Sequence, residues 1–139
     1  MDSSLFSNDS MNEDRISTKK KESANKKEEK KENKKPLNIN DIKEACLKYF
    51  NGDSLAADVW INKYALRDGE SIYELTPNDM HKRLAKEFNR IENKYKNPMG
   101  EEEIYELLKD FKYIIPQGSP MFGIGNNYQI VSLSNCFVI

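Results

Sequence analysis

Cys136 and the segment at residues 117–126 carry residue types that could do chemistry in this sequence. A thiol at the entry to an apolar run, as at Cys136, can act as a nucleophile, as a redox donor or as a small buried hydrophobe. The segment reads QGSPMFGIGN. Its glycines let the backbone approach a ligand closely, and Ser119 offers a hydroxyl to a phosphate or sugar oxygen. A surface loop shaped by turn residues is the alternative, and the segment is not a P-loop, because no Gly-Lys-Ser/Thr follows.

The other thiol and the single histidine predict no catalytic centre. Cys46 lies on the apolar stripe of a predicted helix, which indicates core packing. His81 is flanked by Lys82 and Arg83, so we expect a solvated surface position. Because the chain has one histidine and two cysteines far apart, it cannot build a multi-histidine metal site, and free thiols are expected.

Two amphipathic helices are predicted in the first part of the folded region. Apolar residues recur at helical spacing from Ile39 to Phe50, with Asn38 or Asn40 available as the N-cap. Turn residues then break this helix before Ser54, which can cap the second helix. The second helix has an apolar stripe flanked by Trp60 and is expected to end at Arg67-Asp68-Gly69. Its stripe consists of Leu55, Val59 and Tyr64.

Two further helices are predicted, and after them the residue composition changes. Thr76-Pro77 with Asp79 gives a strong helix start, and one apolar face is expected to continue to Tyr95. Glu101-Glu102-Glu103 opens a fourth helix, since carboxylates favour the positive end of the helix dipole. After Lys112 come a Gly- and Pro-rich loop and two short β-favouring runs. These runs are Tyr128 to Val131 and Phe137 to Ile139.

Composition excludes several classes of protein. Residues 1–36 combine ten basic with eight acidic side chains and hold no credible core, so we expect a disordered Lys/Glu-rich tail. The remainder has twelve basic and fifteen acidic side chains, which argues against a nucleic-acid partner. No apolar run is long enough to cross a bilayer, so no membrane association and a cytoplasmic location are expected. The last residues stop within an apolar run, which favours a fragment of a larger chain.

Four stretches of this sequence resemble adenosylcobalamin-dependent (class II, vitamin B12-dependent) ribonucleotide reductases. They are Asn51 to Ala57, Asp58 to Ala65, Tyr113 to Pro120 and Ser132 to Val138. The resemblance runs from Phe50 to Ile139 and leaves the Lys/Glu-rich tail without a counterpart. It implies a mainly α fragment, in which a helical N-terminal reductase domain at 37–112 leads into the first strands of a ten-stranded α/β barrel at 113–139.

The resemblance also implies an activity and its residues. The activity is that of an oxidoreductase of the ribonucleoside-diphosphate reductase type, although di- and triphosphate substrates both remain open. It makes 2′-deoxyribonucleotides by thiyl-radical chemistry for DNA synthesis. Cys136 matches the first cysteine of the redox pair. Ser119 matches the residue before Pro that contacts the ribonucleotide substrate, and Asn135 adjoins the cysteine at the same substrate.

Cofactor and partners follow from the same resemblance. The complete enzyme would bind adenosylcobalamin, accept electrons from a thioredoxin/glutaredoxin-type or dithiol reductant, and have a homodimer as one assembly. The thiyl-radical cysteine and the second redox cysteine have no counterparts here, so we expect this polypeptide alone to be inactive. Two alternatives stay open. One is a fragment of a class I large subunit, which needs a radical-generating partner, and the other is a non-catalytic helical interaction module.

Overall fold

Helices dominate residues 35–134, which are the residues that the computed structural model describes. Between the second and third helices lies a short antiparallel hairpin, in which Arg67 pairs with Ile72 and Asp68 with Ser71. The elements in chain order are α1 (Ile39–Tyr49), α2 (Ser54–Lys63), β1 (Arg67–Asp68), β2 (Ser71–Ile72), α3 (Pro77–Glu92), α4 (Glu101–Leu108), a 3-10 turn (Lys109–Phe111) and α5 (Gly118–Gly123). The predicted mainly helical architecture is confirmed for this part of the chain.

The helix starts follow local capping chemistry. The Asn38 side chain accepts a hydrogen bond from the Asn40 amide at 2.9 Å, which confirms one of the two predicted caps of α1. The cap of α2 is Asp53, whose carboxylate accepts from the Ala56 amide at 3.0 Å; the prediction of Ser54 was wrong by one residue. At α3 the predicted start is confirmed, with Thr76 as N-cap and the Asp79 carboxylate accepting from the Thr76 amide.

The predicted end of α2 was wrong. The helix ends at Lys63, and residues 67–69 belong to the hairpin instead. The Tyr73 amide donates to the Leu66 carbonyl at 2.9 Å, so the pairing extends past the two short strands. Because Gly69 serves equally as a helix C′ residue and as a turn residue, its presence alone could not separate the two structures.

The core is formed by one face of each helix in the described range. Its largest fully buried side chains lie on α1, α3 and α4 and include Ile42, Met80, Leu84 and Leu108. The apolar members of the buried cluster are Ile42, Cys46, Ala57, Trp60, Ile61, Ala65, Ile72, Met80, Leu84, Ala85, Ile104, Leu108 and Met121. Burial of this apolar surface is the main stabilising contribution to the helical part.

Two predicted core assignments were wrong, at Leu55 and at Tyr95. Leu55 is 73 % exposed, because α2 turns Ala57, Trp60 and Ile61 inward instead. On α3 the buried face stops early: the helix ends at Glu92, and Tyr95 beyond it is 66 % exposed. Helical spacing identified the elements, but tertiary packing chose which edge of each apolar stripe is buried.

The region after α4 also departs from the prediction. A helix, α5, occupies part of the predicted loop, and Tyr128 to Val131 form no strand. A β-favouring run needs a neighbouring strand to satisfy its backbone groups, and none pairs with it within the described residues. The predicted tail before Lys35 and the run Phe137 to Ile139 lie outside the described residues. The domain boundary at 112/113 stays a prediction.

Candidate functional site

Ser119 lies on α5, the short helix of the segment that the sequence singled out. We call residues 117–127 the substrate segment, after the role predicted for Ser119. Gln117 is the N-cap residue of α5, and the Met121 amide donates to the Gln117 carbonyl at 3.0 Å. Ser119 itself is partly buried. Ser119 therefore belongs to an ordered helical turn rather than to an irregular loop.

Apolar contacts attach the substrate segment to the helical core at a few points. Met121 is 9 % exposed and belongs to the buried cluster, while Ile124 packs against that cluster. The backbone of Gly118 lies close to the Tyr64 ring, since an added Cβ would sit 3.2 Å from Tyr64 Cε1. A Cβ at Gly118 would thus require a small shift, of either the Tyr64 ring or α5.

Arg83 of α3 holds the carboxyl-terminal end of α5. Its Nη2 donates to the Met121 carbonyl at 2.9 Å, and its Nη1 donates to the Ile124 carbonyl. The last carbonyls of a helix lack partners within the helix, so a guanidinium placed there satisfies them and favours the negative end of the helix dipole. Gly125 follows in a left-handed conformation, with φ +70°, and its ideal Cβ would lie 2.8 Å from Arg83 Cγ. Only glycine fits this position without strain.

Glu74 completes the network from the hairpin side. Its Oε1 accepts from Arg83 Nε at 2.8 Å, and its Oε2 accepts from the Leu66 amide at 2.8 Å. The side chains are 9 % exposed for Arg83 and 2 % exposed for Glu74. The Arg83–Glu74 pair therefore links three elements, namely the hairpin, α3 and α5, through charge-assisted hydrogen bonds.

The other end of the substrate segment has its own contacts. The Asn126 side chain accepts from the backbone amides of Tyr128 and Gln129 at 2.9 and 3.1 Å, which forms an Asx-type turn. The Tyr128 ring stacks on Tyr73, with centroids 4.6 Å apart and planes 4° from parallel. These contacts direct the chain back over the hairpin.

Cys46 packs in the core, as predicted. The side chain is fully buried, and its Sγ donates to the Leu75 carbonyl at 3.3 Å. Burial, and to a smaller degree the negative charge of Asp79, raises the pKa of the thiol to about 11. A thiol so protonated and covered is a poor nucleophile, so Cys46 is unsuited to redox exchange.

The prediction of a solvated His81 was wrong. The imidazole is fully buried, and the edge-to-face distance between its centroid and that of Phe111 is 4.6 Å. Burial lowers the pKa of His81 to about 4, so the ring is neutral at pH 7. The flanking basic residues were misleading, because positions 81, 84 and 85 share the buried face of α3. A buried neutral imidazole under an aromatic ring is a structural residue.

Two of the predicted site residues cannot be placed. Asn135 and Cys136 lie outside the described residues, and their roles stay predictions. Within residues 35–134, no group of three or more His, Cys, Asp or Glu side chains could hold a metal ion. The helices of the same range include none that is long and apolar enough to cross a membrane.

The sequence reasoning missed Glu74 and Arg83. A signal existed at Glu74, because Ile72 and Glu74 are both buried at the alternate spacing of an extended chain, which puts a carboxylate on a core-facing side. Arg83 adjoins the buried Leu84, but its place beside Lys82 in the sequence gives no sign of a buried partner. A partner for either residue could not be recognised from local sequence.

Comparison with known families decides the assignment. The family model described as "Ribonucleotide reductase, all-alpha domain" matches residues 50–127, more than half of the chain. The chain belongs to this ribonucleotide reductase family. The matched range includes the substrate segment together with Arg83 and Glu74, and it ends before Asn135 and Cys136. No curated protein and no solved structure matches the chain significantly.

Proposed function

We propose that this chain acts as the all-alpha domain of a B12-dependent ribonucleotide reductase and presents the substrate segment to the reductase barrel. The family match over residues 50–127 carries the proposal. The geometry supports it, because the matched range ends in a serine-bearing helix that is anchored to the helical core. The reaction proposed is the conversion of ribonucleotides to 2′-deoxyribonucleotides by thiyl-radical chemistry.

The proposed residue roles come from the sequence motifs. Ser119 contacts the ribonucleotide, Asn135 adjoins it, and Cys136 is one of two thiols that reduce it. Overall, the two thiols become a disulfide, the 2′-carbon gains hydrogen, and the 2′-hydroxyl leaves as water. An external dithiol or a thioredoxin/glutaredoxin-type protein then reduces the disulfide. Cys46 is excluded as the second thiol by its burial in the helical core.

Neither the one histidine nor the surface groove described for residues 35–134 fits adenosylcobalamin. The imidazole of His81 is buried beneath Phe111, and a surface groove beside Met99 and Leu107 is rimmed by carboxylates. We therefore place the cofactor, which would generate the radical, on other parts of the reductase. No step of the proposed chemistry is assigned to residues 35–134 through it.

The reductase proposal also covers the location, the partners and the assembly of the enzyme. We propose a cytoplasmic enzyme of deoxyribonucleotide biosynthesis that needs neither a nucleic acid nor a membrane, with a homodimer as one assembly. The nearly balanced charge and the family support this setting.

A cofactor-dependence assay tests the class. Deoxyribonucleotide formation by the active reductase in which this chain acts is measured with a dithiol, with and without adenosylcobalamin. We expect product only when the cofactor is present. Product that depends on a separate radical-generating subunit would instead establish the class I alternative. Absence of product under both conditions from a well-folded assembly would favour a helical interaction module.

Variants in the same assay test the residues. Ser119→Ala should raise the KM for the ribonucleotide, because a polar contact to the substrate is lost. The matched control is Ser54→Ala, an exposed serine on α2. Cys136→Ser should abolish multiple turnover. Equal KM values for Ser119→Ala and the control would contradict the role of Ser119.

A further inference from the structure

The Arg83–Glu74 pair is buried, which is unusual for two charges in so small a helical region. Removing a carboxylate and a guanidinium from water costs free energy, which their attraction repays only with good geometry and further hydrogen bonds. Here both carboxylate oxygens of Glu74 accept from the guanidinium, since Arg83 Nε lies 2.8 Å from Oε1 and Nη2 lies 3.3 Å from Oε2. The pair thus has a fixed orientation that an apolar contact would not impose.

The remaining donors of Arg83 are directed at the substrate segment. The guanidinium bonds the Met121 and Ile124 carbonyls, and Met121 lies half a helical turn from Ser119. Because α5 has only six residues, its own hydrogen bonds cannot fix its position on the core. The Arg83 contacts therefore fix the carboxyl-terminal end of α5 on the core, beside the apolar anchor Met121.

We infer that Arg83 and Glu74 are positioning residues for the ribonucleotide, acting through Ser119. Glu74 orients the guanidinium, the guanidinium holds the end of α5, and α5 presents the Ser119 hydroxyl. The inference rests on the proposed function, since it needs Ser119 to contact the substrate. Neither Arg83 nor Glu74 is proposed to touch the substrate.

The test uses Arg83→Lys, which keeps the positive charge and removes the planar guanidinium that bonds Glu74 and α5 at the same time. Its matched control is Arg90→Lys on the same helix, where Arg90 pairs with Glu87 on the surface. The first readout is amide hydrogen exchange of the full chain. Arg83→Lys should speed exchange in residues 117–127 by about tenfold and leave α1 and α2 unchanged, because the bonds lost are local.

The second readout is steady-state kinetics of the active reductase. Arg83→Lys and Glu74→Gln should each raise the KM by about tenfold and change kcat little, because ground-state binding is affected. Arg90→Lys should match the wild type. A merely structural role would lower the amount of folded protein without altering the KM of the folded fraction, and that outcome would overturn the inference.

Two further variants keep the outcomes separate. If Arg83→Lys does not fold, Gly125→Ala displaces the guanidinium without removing it, and the same local exchange and KM changes are expected. Ser119→Ala tests the proposed function on its own. If Ser119→Ala raises the KM but the Arg83 and Glu74 variants do not, the positioning role alone is wrong. If Ser119→Ala leaves the KM unchanged, the proposed substrate contact fails and the inference fails with it.

Discussion

The helical core and the substrate segment are held by different forces. In the core, fully buried apolar side chains such as Leu84 and Leu108 pack between helices. In the substrate segment, Met121 is the buried apolar anchor, and directional bonds from Arg83 set the position of α5. Apolar packing stabilises without strict direction, whereas charge-assisted bonds fix orientation. The molecule therefore uses packing for the stability of the core and a polar network for the orientation of the short helix α5.

The largest effect should come from the core. Leu84→Ala should lower the free energy of unfolding by about 3 kcal/mol, since a fully buried leucine leaves a cavity. Urea denaturation followed by circular dichroism measures the change. Leu55→Ala, at a position that is 73 % exposed, is the control and should change stability by less than about 0.5 kcal/mol. Equal losses in the two variants would contradict the assigned core.

The next effect is a pH dependence of the free energy of unfolding, which comes from the buried His81 of the core. His81 has a folded-state pKa of about 4, below its ordinary value, so the unfolded chain binds the proton more readily. The contribution of the neutral His81 ring to the free energy of unfolding is fully present above about pH 6.5. It should be lost as the pH falls toward 4, by an amount on the order of 3 kcal/mol. The nearby Asp110 carboxylate partly opposes the shift.

The control for this pH effect is His81→Met, which replaces the imidazole with an unbranched apolar side chain and removes the titration. Unfolding free energies are measured at intervals between pH 7 and pH 4.5. The wild type should lose more stability than the variant over this range. Parallel curves for the two proteins would show that His81 is not buried as a neutral ring.

A smaller, local effect is expected at the end of the substrate segment. Tyr128→Leu removes the stack on Tyr73 and should favour local opening by about 1 kcal/mol, which is roughly fivefold faster exchange in the neighbouring amides. Global stability should hardly change. Tyr113→Leu, at an exposed position, is the control. A large drop in global stability for Tyr128→Leu would place the stack in the core instead.

The smallest effect concerns Cys46, where we expect no reaction in the folded state. With a pKa of about 11, only about a thousandth of this thiol is ionised at pH 8, and the side chain is covered. An aromatic disulfide reagent should therefore leave Cys46 unmodified in the folded chain, as measured by peptide mapping. Cys46 should react only after unfolding. Rapid labelling of Cys46 would contradict its place in the core.

Local signals explain what the sequence could predict. The start of α3 at Thr76, Pro77 and Asp79 was predictable because capping bonds join residues three positions apart. The Arg83 bonds were not, since they reach carbonyls 38 and 41 positions along the chain. His81 was misread for the same reason, because the Phe111 ring that covers it follows the left-handed turn at Asp110, φ 54°. The sequence motifs predicted the reductase family, which the family match confirms, whereas the bonds that attach α5 to α3 became visible only in the packed structure.

Hydrogen exchange with bound ribonucleotide tests the central claim most directly. Exchange in the active reductase is measured with and without a saturating ribonucleotide. The account predicts slower exchange in residues 117–127, around Ser119, with no change in α1 and α2. Unchanged exchange in residues 117–127 at saturation, or protection confined to α1 and α2, would contradict the claim that this segment receives the substrate.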